Sequence, residues 1–290
     1  MAWSLAGAMM GEEMEKILQC EGLTKTFTSG LIRTKCCEAV KNVTFDVEKG
    51  EIVALVGESG SGKTTVARLI LRLIEPTSGQ VLFNGKDVSS YDRREYYRRV
   101  QAIVQDPYSA YNPFYKVDRV LEEIFGLYKD GFSPEKRKEI IVSTLKRIGI
   151  NPEEILGRFP HQLSGGQLQR FLIARPLMIN SEIVVADEAT SMLDASTRAG
   201  ILNLLLSLKD NEKISILFIT HDIAQAQYIS DKVLVMQMGE VVEQGLASEV
   251  FRHPAHPYTK ELFSSVPQLR EKWDFEKTTQ GPADKCPENP

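Results

Sequence analysis

No apolar run in this sequence approaches the roughly 18 residues that a bilayer-spanning helix requires, so the chain is not expected to cross a membrane by itself. Cysteine is scarce. Cys20, Cys36, Cys37 and Cys286 show neither CxxC spacing nor a companion histidine cluster, which argues against a disulfide- or metal-stapled chain and fits a reduced cytosolic setting best. A basic excess is missing too: 35 Lys and Arg against 39 Asp and Glu leave a net charge of −4, which argues against a dedicated nucleic-acid binder while leaving local basic patches open. The stretch Met1–Met10 is mildly apolar but lacks the basic n-region and cleavage site of a secretory signal. Residues 1–14 are therefore expected to form a flexible tail, with Met14 a second candidate start. What the chain does have is 290 residues and 42% hydrophobic composition, enough for one large or two modest domains with a real core.

The chain is organised around Gly57-Glu58-Ser59-Gly60-Ser61-Gly62-Lys63-Thr64. The apolar, β-branched run Ile52–Val56 before it reads as a buried parallel strand, and apolar positions at helical spacing follow it up to Ile74, where Glu75-Pro76 breaks the pattern. Glycines between a strand and a helix let the backbone curl around an anion, with several amides aimed at one phosphate. Lys63 adds a point charge for the β- and γ-phosphates, and Thr64 offers a hydroxyl to Mg²⁺. Gly57, Ser59, Gly60, Ser61, Gly62, Lys63, Thr64 and Thr65 are thus the expected nucleotide-binding set. A Gly/Ser-rich turn that binds nothing is the bland alternative, and the strand-loop-helix context speaks against it.

Ahead of this loop, Ile17–Gln19 and Val43–Val47 read as short strands around a polar reversal, Thr28 to Cys37. Phe27 at its edge could stack on a base, worth roughly 1 to 3 kcal/mol, or could be a half-buried strand residue. Beyond the loop, Asn84-Gly85 is a tight-hairpin signal. Arg93–Arg99 could touch nucleic acid, but a solvated helix face with a tyrosine side turned inward fits an acidic protein better. A strand over Ala102–Val104 delivers Gln105 to the carboxyl edge of the sheet, where phosphate and Mg²⁺ would lie, so Gln105 joins Thr64 and Asp187 as a candidate metal ligand. Between about 106 and 165, Val117–Tyr128 and Ser133–Ile148 are amphipathic and helical, an inserted helical subdomain.

Leu163-Ser164-Gly165-Gly166-Gln167 then opens another helix and makes a second anion-binding end. The apolar run Ile183–Ala186 ends in Asp187-Glu188, carboxylates that are costly to bury unless they meet a cation or a donor. Asp187 is the expected Mg²⁺ partner, and Glu188 the group that polarises an attacking water. Ile214–Ile219 ends in Thr220-His221, so His221 reaches the same sheet edge. The last sheet pieces are Lys232–Met236 and Glu240–Gln244.

In this order the motifs resemble the nucleotide-binding subunit of an ATP-binding cassette transporter over nearly the whole chain. Gly57–Thr64 looks like Walker A, Gln105 the Q-loop glutamine, Leu163–Gln167 the signature motif, and Ile183–Glu188 Walker B with its catalytic glutamate. Ser191–Asp194 looks like the D-loop, His221 the switch histidine and Phe27 the adenine-stacking aromatic. Asp106-Pro107, Asn112-Pro113, Phe159-Pro160-His161 and above all His256-Pro257-Tyr258-Thr259 resemble the oligopeptide/dipeptide/nickel importer branch. His253 with His256 reads as a turn in preference to a weak metal pair. Ala189 departs from the usual Pro, Leu168 from a polar residue, and Pro176 is expected to kink or end its helix. Cys286 alone does not support an iron-sulfur cluster.

The resemblance implies an α/β, RecA-like P-loop NTPase core with an N-terminal antiparallel β subdomain and an inserted helical subdomain. It implies an ATPase domain over 15–250 and an importer-type extension over 251–290. It also implies ATP and Mg²⁺ as cofactors, catalysis by Glu188, His221 and Gln105, nucleotide contacts by Gly165, Gln167 and Asp194, and a head-to-tail dimer in which Ser164 and Gly166 complete the partner's nucleotide site. The expected partners are two transmembrane permease subunits, a second ATP-binding subunit (a copy or a paralogue) and, indirectly, an extracytoplasmic solute-binding protein, with no nucleic acid. The place is the cytoplasmic face of the cell membrane, held peripherally. A soluble ATPase of the same superfamily acting on ribosomes or DNA is the alternative; a P-loop kinase or GTPase leaves the signature motif and His221 unexplained.

Overall fold

Five consecutive apolar residues with no flanking polar alternation can be satisfied only where both faces of a strand are covered, and Ile52–Val56 is buried at every position. It is the third strand in a computed structural model that describes residues 15–29, 35–128 and 131–264. The expectations for residues 1–14, most of the reversal between Thr28 and Cys37, and Cys286 lie outside the described residues. In chain order the strands are β1 (Lys16–Ser29), β2 (Lys35–Glu48), β3 (Ile52–Val56), β4 (Ser78–Phe83), β5 (Lys86–Asp87), β6 (Val100–Ile103), β7 (Ile183–Asp187), β8 (Ser215–Thr220), β9 (Lys232–Gln237) and β10 (Glu240–Leu246). The helices are α1 (Lys63–Ile70), α2 (Arg93–Arg99), α3 (Asp118–Glu122), α4 (Pro134–Arg147), α5 (Pro152–Ile155), α6 (Gly165–Met178), α7 (Ala195–Glu212), α8 (Ile223–Ile229), α9 (Ala247–Val250) and α10 (Pro257–Ser264).

Six strands form one sheet in the order β10-β9-β3-β8-β7-β6, parallel except for the β9–β10 hairpin; the antiparallel order β2-β1-β4-β5 makes a second. Alternate residues of the central strands face different layers. Ile216 and Phe218 pack with the helical segment (Leu121, Leu145, Phe171), while Leu217 and Ile219 pack with the antiparallel sheet and α1 (Phe45, Phe83, Val66). The core therefore lies on both sides of one sheet, as an α/β P-loop architecture requires.

The parallel register positions the site. Ile103 is paired with Ala186, Asp187 with Ile219, and Val56 with Thr220. Gln105, Glu188, His221 and the first residue of the glycine loop consequently emerge at one carboxyl edge.

Several local expectations are corrected. The two N-terminal strands are each 14 residues long, because register shifts between Cys20 and Leu23 and between Leu23 and Thr26 let them bend and continue where a straight polar–apolar alternation breaks off. Helix α1 ends at Ile70, four residues early: Arg72 takes φ 53° and the Leu73 amide donates back to the Arg68 carbonyl at 2.9 Å, a left-handed helix stop. Val117–Tyr128 is a short α3 followed by a 3₁₀ turn over Glu123–Leu127. Helix α6 continues through Pro176 to Met178; Pro176 removes one backbone hydrogen bond, and its burial among apolar neighbours offsets that loss. The Asn84-Gly85 hairpin is present with φ 48° and 73°, the pair of left-handed residues a type I′ turn needs. Tyr96 is the inward tyrosine of α2.

Candidate functional site

The site starts at the end of β3. Helix α1 opens at Lys63 with Gly62 as its cap, and no side chain caps it. The amides of Lys63, Thr64 and Thr65 have no carbonyl one turn back and point out of the helix end, a donor set for an anion. Gly62 cannot be replaced: its φ is 109°, and a Cβ would lie 2.3 Å from the Ala39 carbonyl oxygen. The loop is closed on the far side by the β9–β10 turn, where the Gly239 amide donates to the Ser61 carbonyl at 2.9 Å.

Lys63 is 5% exposed and folds back on this loop. Its Nζ donates to the carbonyls of Gly57 (2.8 Å) and Glu58 (2.7 Å) and to Ser61 Oγ (3.3 Å). Desolvation lowers its pKa from the usual lysine value, against the pull of Glu188, Asp187 and Glu58. Across the loop, Thr64 Oγ1 donates to Asp187 Oδ1 at 3.4 Å. These are two hard oxygens beside the helix end, a donor pair that suits Mg²⁺ completed by phosphate and water oxygens. Among the described residues no cluster of three or more His, Cys, Asp or Glu offers an all-protein metal cage, and His253 with His256 makes none.

Glu188 lies one residue past β7 with φ 48°, and this left-handed turn swings its carboxylate out of the strand line. Both oxygens are engaged. Gln105 Nε2 donates to Oε2 at 2.8 Å, and His221 Nδ1 lies 3.0 Å from Oε1. The structure thus brings Gln105, Glu188 and His221 together and joins Thr64 to Asp187. Of the three candidate metal ligands it sets Gln105 on Glu188 rather than on the Thr64–Asp187 pair.

Ser164 and Gln167 form a reciprocal cap on α6: the Gln167 amide donates to Ser164 Oγ (3.2 Å) and the Ser164 amide to Gln167 Oε1 (2.9 Å). A Cβ on Gly166 would meet Thr197 Cγ2 at 2.2 Å, and the space beside Gly165 is taken by Leu193 and Tyr108. The signature segment therefore packs on the Leu193–Thr197 segment, and among the described residues no hydrogen bond joins it to the glycine loop. Asp194 caps α7, with its carboxyl held well below the usual range by the Ser196 hydroxyl and by the Thr197 amide and hydroxyl. Phe27 is 40% exposed, opposite Cys37 on β2 and with Lys25 Nζ 5.4 Å from its ring centroid; Ala39, which abuts Gly62, lies two residues further along β2. The open ring of Phe27 leaves the stacking role available.

Asp187 gives the site a pH signature. Desolvation raises its carboxyl above the ordinary value, aided by Glu188 and opposed by the Thr64 hydroxyl and Lys63. A carboxyl raised in the folded chain favours folding below its unfolded pKa, and that contribution is lost as pH rises through the folded value. Asp187→Asn is accordingly expected to melt above the wild type at neutral pH without nucleotide, the gap closing as pH falls towards about 4. Melting curves across that range check it; a variant that melts lower at every pH would reject it.

A buried parallel sheet whose carboxyl edge holds a glycine loop, a lysine and a Gln–Glu–His cluster defines a P-loop nucleotide-binding protein. Two family models match the chain: ABC transporter over residues 40–191, and oligopeptide/dipeptide transporter, C-terminal region, over 242–288. The oligopeptide transport ATP-binding protein OppF of Bacillus subtilis (strain 168) is 39% identical over 273 residues, covering 90% of this chain and 88% of that protein. The glutathione import ATP-binding protein GsiA of Salmonella paratyphi A is 42% identical over 88% of this chain, which spans 42% of that protein. Among solved structures, the ATP-binding cassette MJ0796 in a dimeric post-hydrolysis state bound to ADP and Pi superimposes with a TM-score of 0.70 at 29% identity, over 79% of this chain and 98% of its own. This chain belongs to the ABC transporter family, as an ATP-binding cassette.

One contact at the glycine loop joins residues far apart in the sequence. The Glu58 amide donates to the Tyr258 hydroxyl, 200 positions away. No local pattern marks this contact; the His256–Thr259 motif was the available signal and reads in isolation as a turn.

Proposed function

We propose that this chain is the ATP-hydrolysing subunit that energises import of oligopeptides, dipeptides or a related small solute. The ATPase half rests on one observation: the Glu188 carboxylate held between Gln105 and His221, beside Asp187–Thr64 and Lys63. The import half is supported by the second family match over residues 242–288 and by relatives named for oligopeptide and glutathione import.

In this reading the ATP phosphates lie on the amides of Gly60 to Thr65, Lys63 exchanges loop carbonyls for phosphate oxygens, and Phe27 stacks on the adenine. Thr64 and Asp187, with Gln105 as the third candidate, would hold Mg²⁺, which would supply charge neutralisation at the phosphates. A water entering beside Glu188 replaces one of its two present contacts and passes a proton towards the carboxylate. His221, with its side chain 57% exposed, has room to turn from Glu188 to the γ-phosphate. Ser164, Gly165, Gly166, Gln167 and Asp194 act on the nucleotide of a second ATP-binding subunit; this is supported by Ser164 and Gln167 bonding each other, and by Gly166 and Asp194 meeting Thr197 of α7, rather than this chain's own loop.

The further assembly is two permease subunits in the membrane, this chain bound peripherally at their cytoplasmic face, and a solute-binding protein outside. No helix among the described residues is long and apolar enough to cross a membrane. The test is to tag Glu188→Gln in full-length protein, trap it with Mg-ATP in its native host, extract membranes gently and identify what co-purifies. Two hydrophobic permease subunits are the expected result. Ribosomal or DNA-repair proteins with no permease would overturn the import half and leave the ATPase half standing.

A further inference from the structure

Tyr258 lies outside the residues matched by the cassette model and inside the C-terminal match, yet its hydroxyl reaches the glycine loop. The Glu58 amide donates to it at 3.1 Å. The carbonyl of the same residue accepts from Lys63 Nζ at 2.7 Å. Glu58 is thus held through both its backbone groups, by the C-terminal helix on one side and by the phosphate-binding lysine on the other.

Tyr258 is itself fixed in place. It is 7% exposed and belongs to a buried apolar cluster that includes Val56 at the end of β3 and Val233 and Val235 of β9. The turn that starts α10 is pinned to the sheet by Glu243 of β10, whose two carboxylate oxygens accept the amides of Ala255 (2.7 Å) and His256 (3.0 Å). His256 Nδ1 in turn accepts the Tyr258 amide at 3.2 Å. Through the backbone of His256 and Tyr258, these separate hydrogen bonds connect the last strand of the sheet to the peptide between Gly57 and Glu58.

We propose that Tyr258 is a positioning residue of the nucleotide loop, through which the C-terminal segment holds the loop in its phosphate-ready shape before ATP arrives. The proposal rests on the assignment of Gly57–Thr64 as the ATP phosphate cradle. Without the hydroxyl, the Glu58 amide loses its acceptor and the peptide can rotate, which carries the adjoining carbonyls of Gly57 and Glu58 away from Lys63. A smaller fraction of molecules then has the binding geometry, and the apparent affinity falls in proportion to that fraction. Once phosphate is bound it orders the loop by itself, so the effect falls on affinity more than on turnover.

The experiment compares full-length wild type, Tyr258→Phe, Glu243→Gln and Lys63→Ala by equilibrium titration with Mg-ATP, by hydrolysis rate against ATP concentration, and by melting without nucleotide. Tyr258→Phe keeps the buried ring, so folding is retained. Its Kd and KM for ATP are expected to rise about 3- to 10-fold, the equivalent of one neutral hydrogen bond, with a smaller fall in the rate at saturating ATP. Glu243→Gln is expected to shift affinity in the same direction by less. A lower melting temperature for Tyr258→Phe with unchanged ATP affinity would make the tyrosine a packing residue alone and overturn the proposal. In that case Lys63→Ala, by losing ATP, would leave the cradle assignment intact. Were Lys63→Ala to bind ATP as the wild type does, the cradle assignment would fall and this proposal with it.

Discussion

Glu188→Gln is expected to retain ATP binding and to slow hydrolysis on the order of 10²- to 10⁴-fold, roughly 3 to 5 kcal/mol of barrier. The geometry explains why binding survives. The substituted amide has the same shape, keeps an oxygen for the Gln105 donor, and can turn its NH2 group to the His221 ring nitrogen. What it removes is the proposed base: an amide oxygen cannot take up the proton of an attacking water at neutral pH. It also removes one negative charge near Lys63, where Glu188 exerts the largest pull of the three carboxylates acting on that lysine. ATP affinity should therefore hold or tighten, since less repulsion meets the incoming phosphates. Single-turnover hydrolysis and nucleotide titration on the same preparation separate the two effects. Near-normal turnover would remove Glu188 from the chemistry and turn attention to Asp187.

The parts of this site that were legible in the sequence are those fixed by burial and by chain order. Ile52–Val56, Ile183–Ala186 and Ser215–Thr220 are buried throughout, and a short continuous apolar run that stops at polar residues is satisfied best as a parallel strand with a functional edge. Gln105, Asp187, Glu188 and His221 could be placed because each follows such a run. The Asn84-Gly85 turn could be placed because few residue pairs tolerate two consecutive positive φ values. What escaped is non-local or depends on packing. The bulges that extend β1 and β2 are set by the partner strand and by β4, and Pro176 stays helical because the surroundings of α6 hold it there. The left-handed turn at Glu188 has no local code, since glutamate gains nothing from positive φ; the amide hydrogen bond to the Ile219 carbonyl at 2.9 Å imposes it from β8. The Tyr258–Glu58 contact spans the entire cassette and is created by the fold alone.

Lys63→Ala is expected to weaken ATP binding by on the order of 10- to 150-fold, the equivalent of one charged hydrogen bond at about 1.5 to 3 kcal/mol. Two losses act in the same direction. The first is direct: the ammonium that would meet the β- and γ-phosphates is gone, and among the described residues no other lysine side chain is hydrogen-bonded to the loop. The second is in the free protein, where Nζ ties together Gly57 O, Glu58 O and Ser61 Oγ. Truncation leaves the Gly57 carbonyl without the lysine donor and the Glu58 carbonyl with the Ser61 amide alone, and it leaves Asp187 and Glu188 beside the loop without its cation, so the cradle loosens and the local field turns against an anion. Arginine should not restore affinity, because a planar fork cannot donate into the same tight turn from three directions. The measurement is equilibrium titration with Mg-ATP and Mg-ADP, with circular dichroism to verify that the sheet is intact. A folded Lys63→Ala protein that binds ATP as tightly as the wild type would mean that Gly57–Thr64 does not hold the phosphates. A loss shared equally by ATP and ADP would place the lysine on the β-phosphate, and a loss confined to ATP would place it on the γ-phosphate.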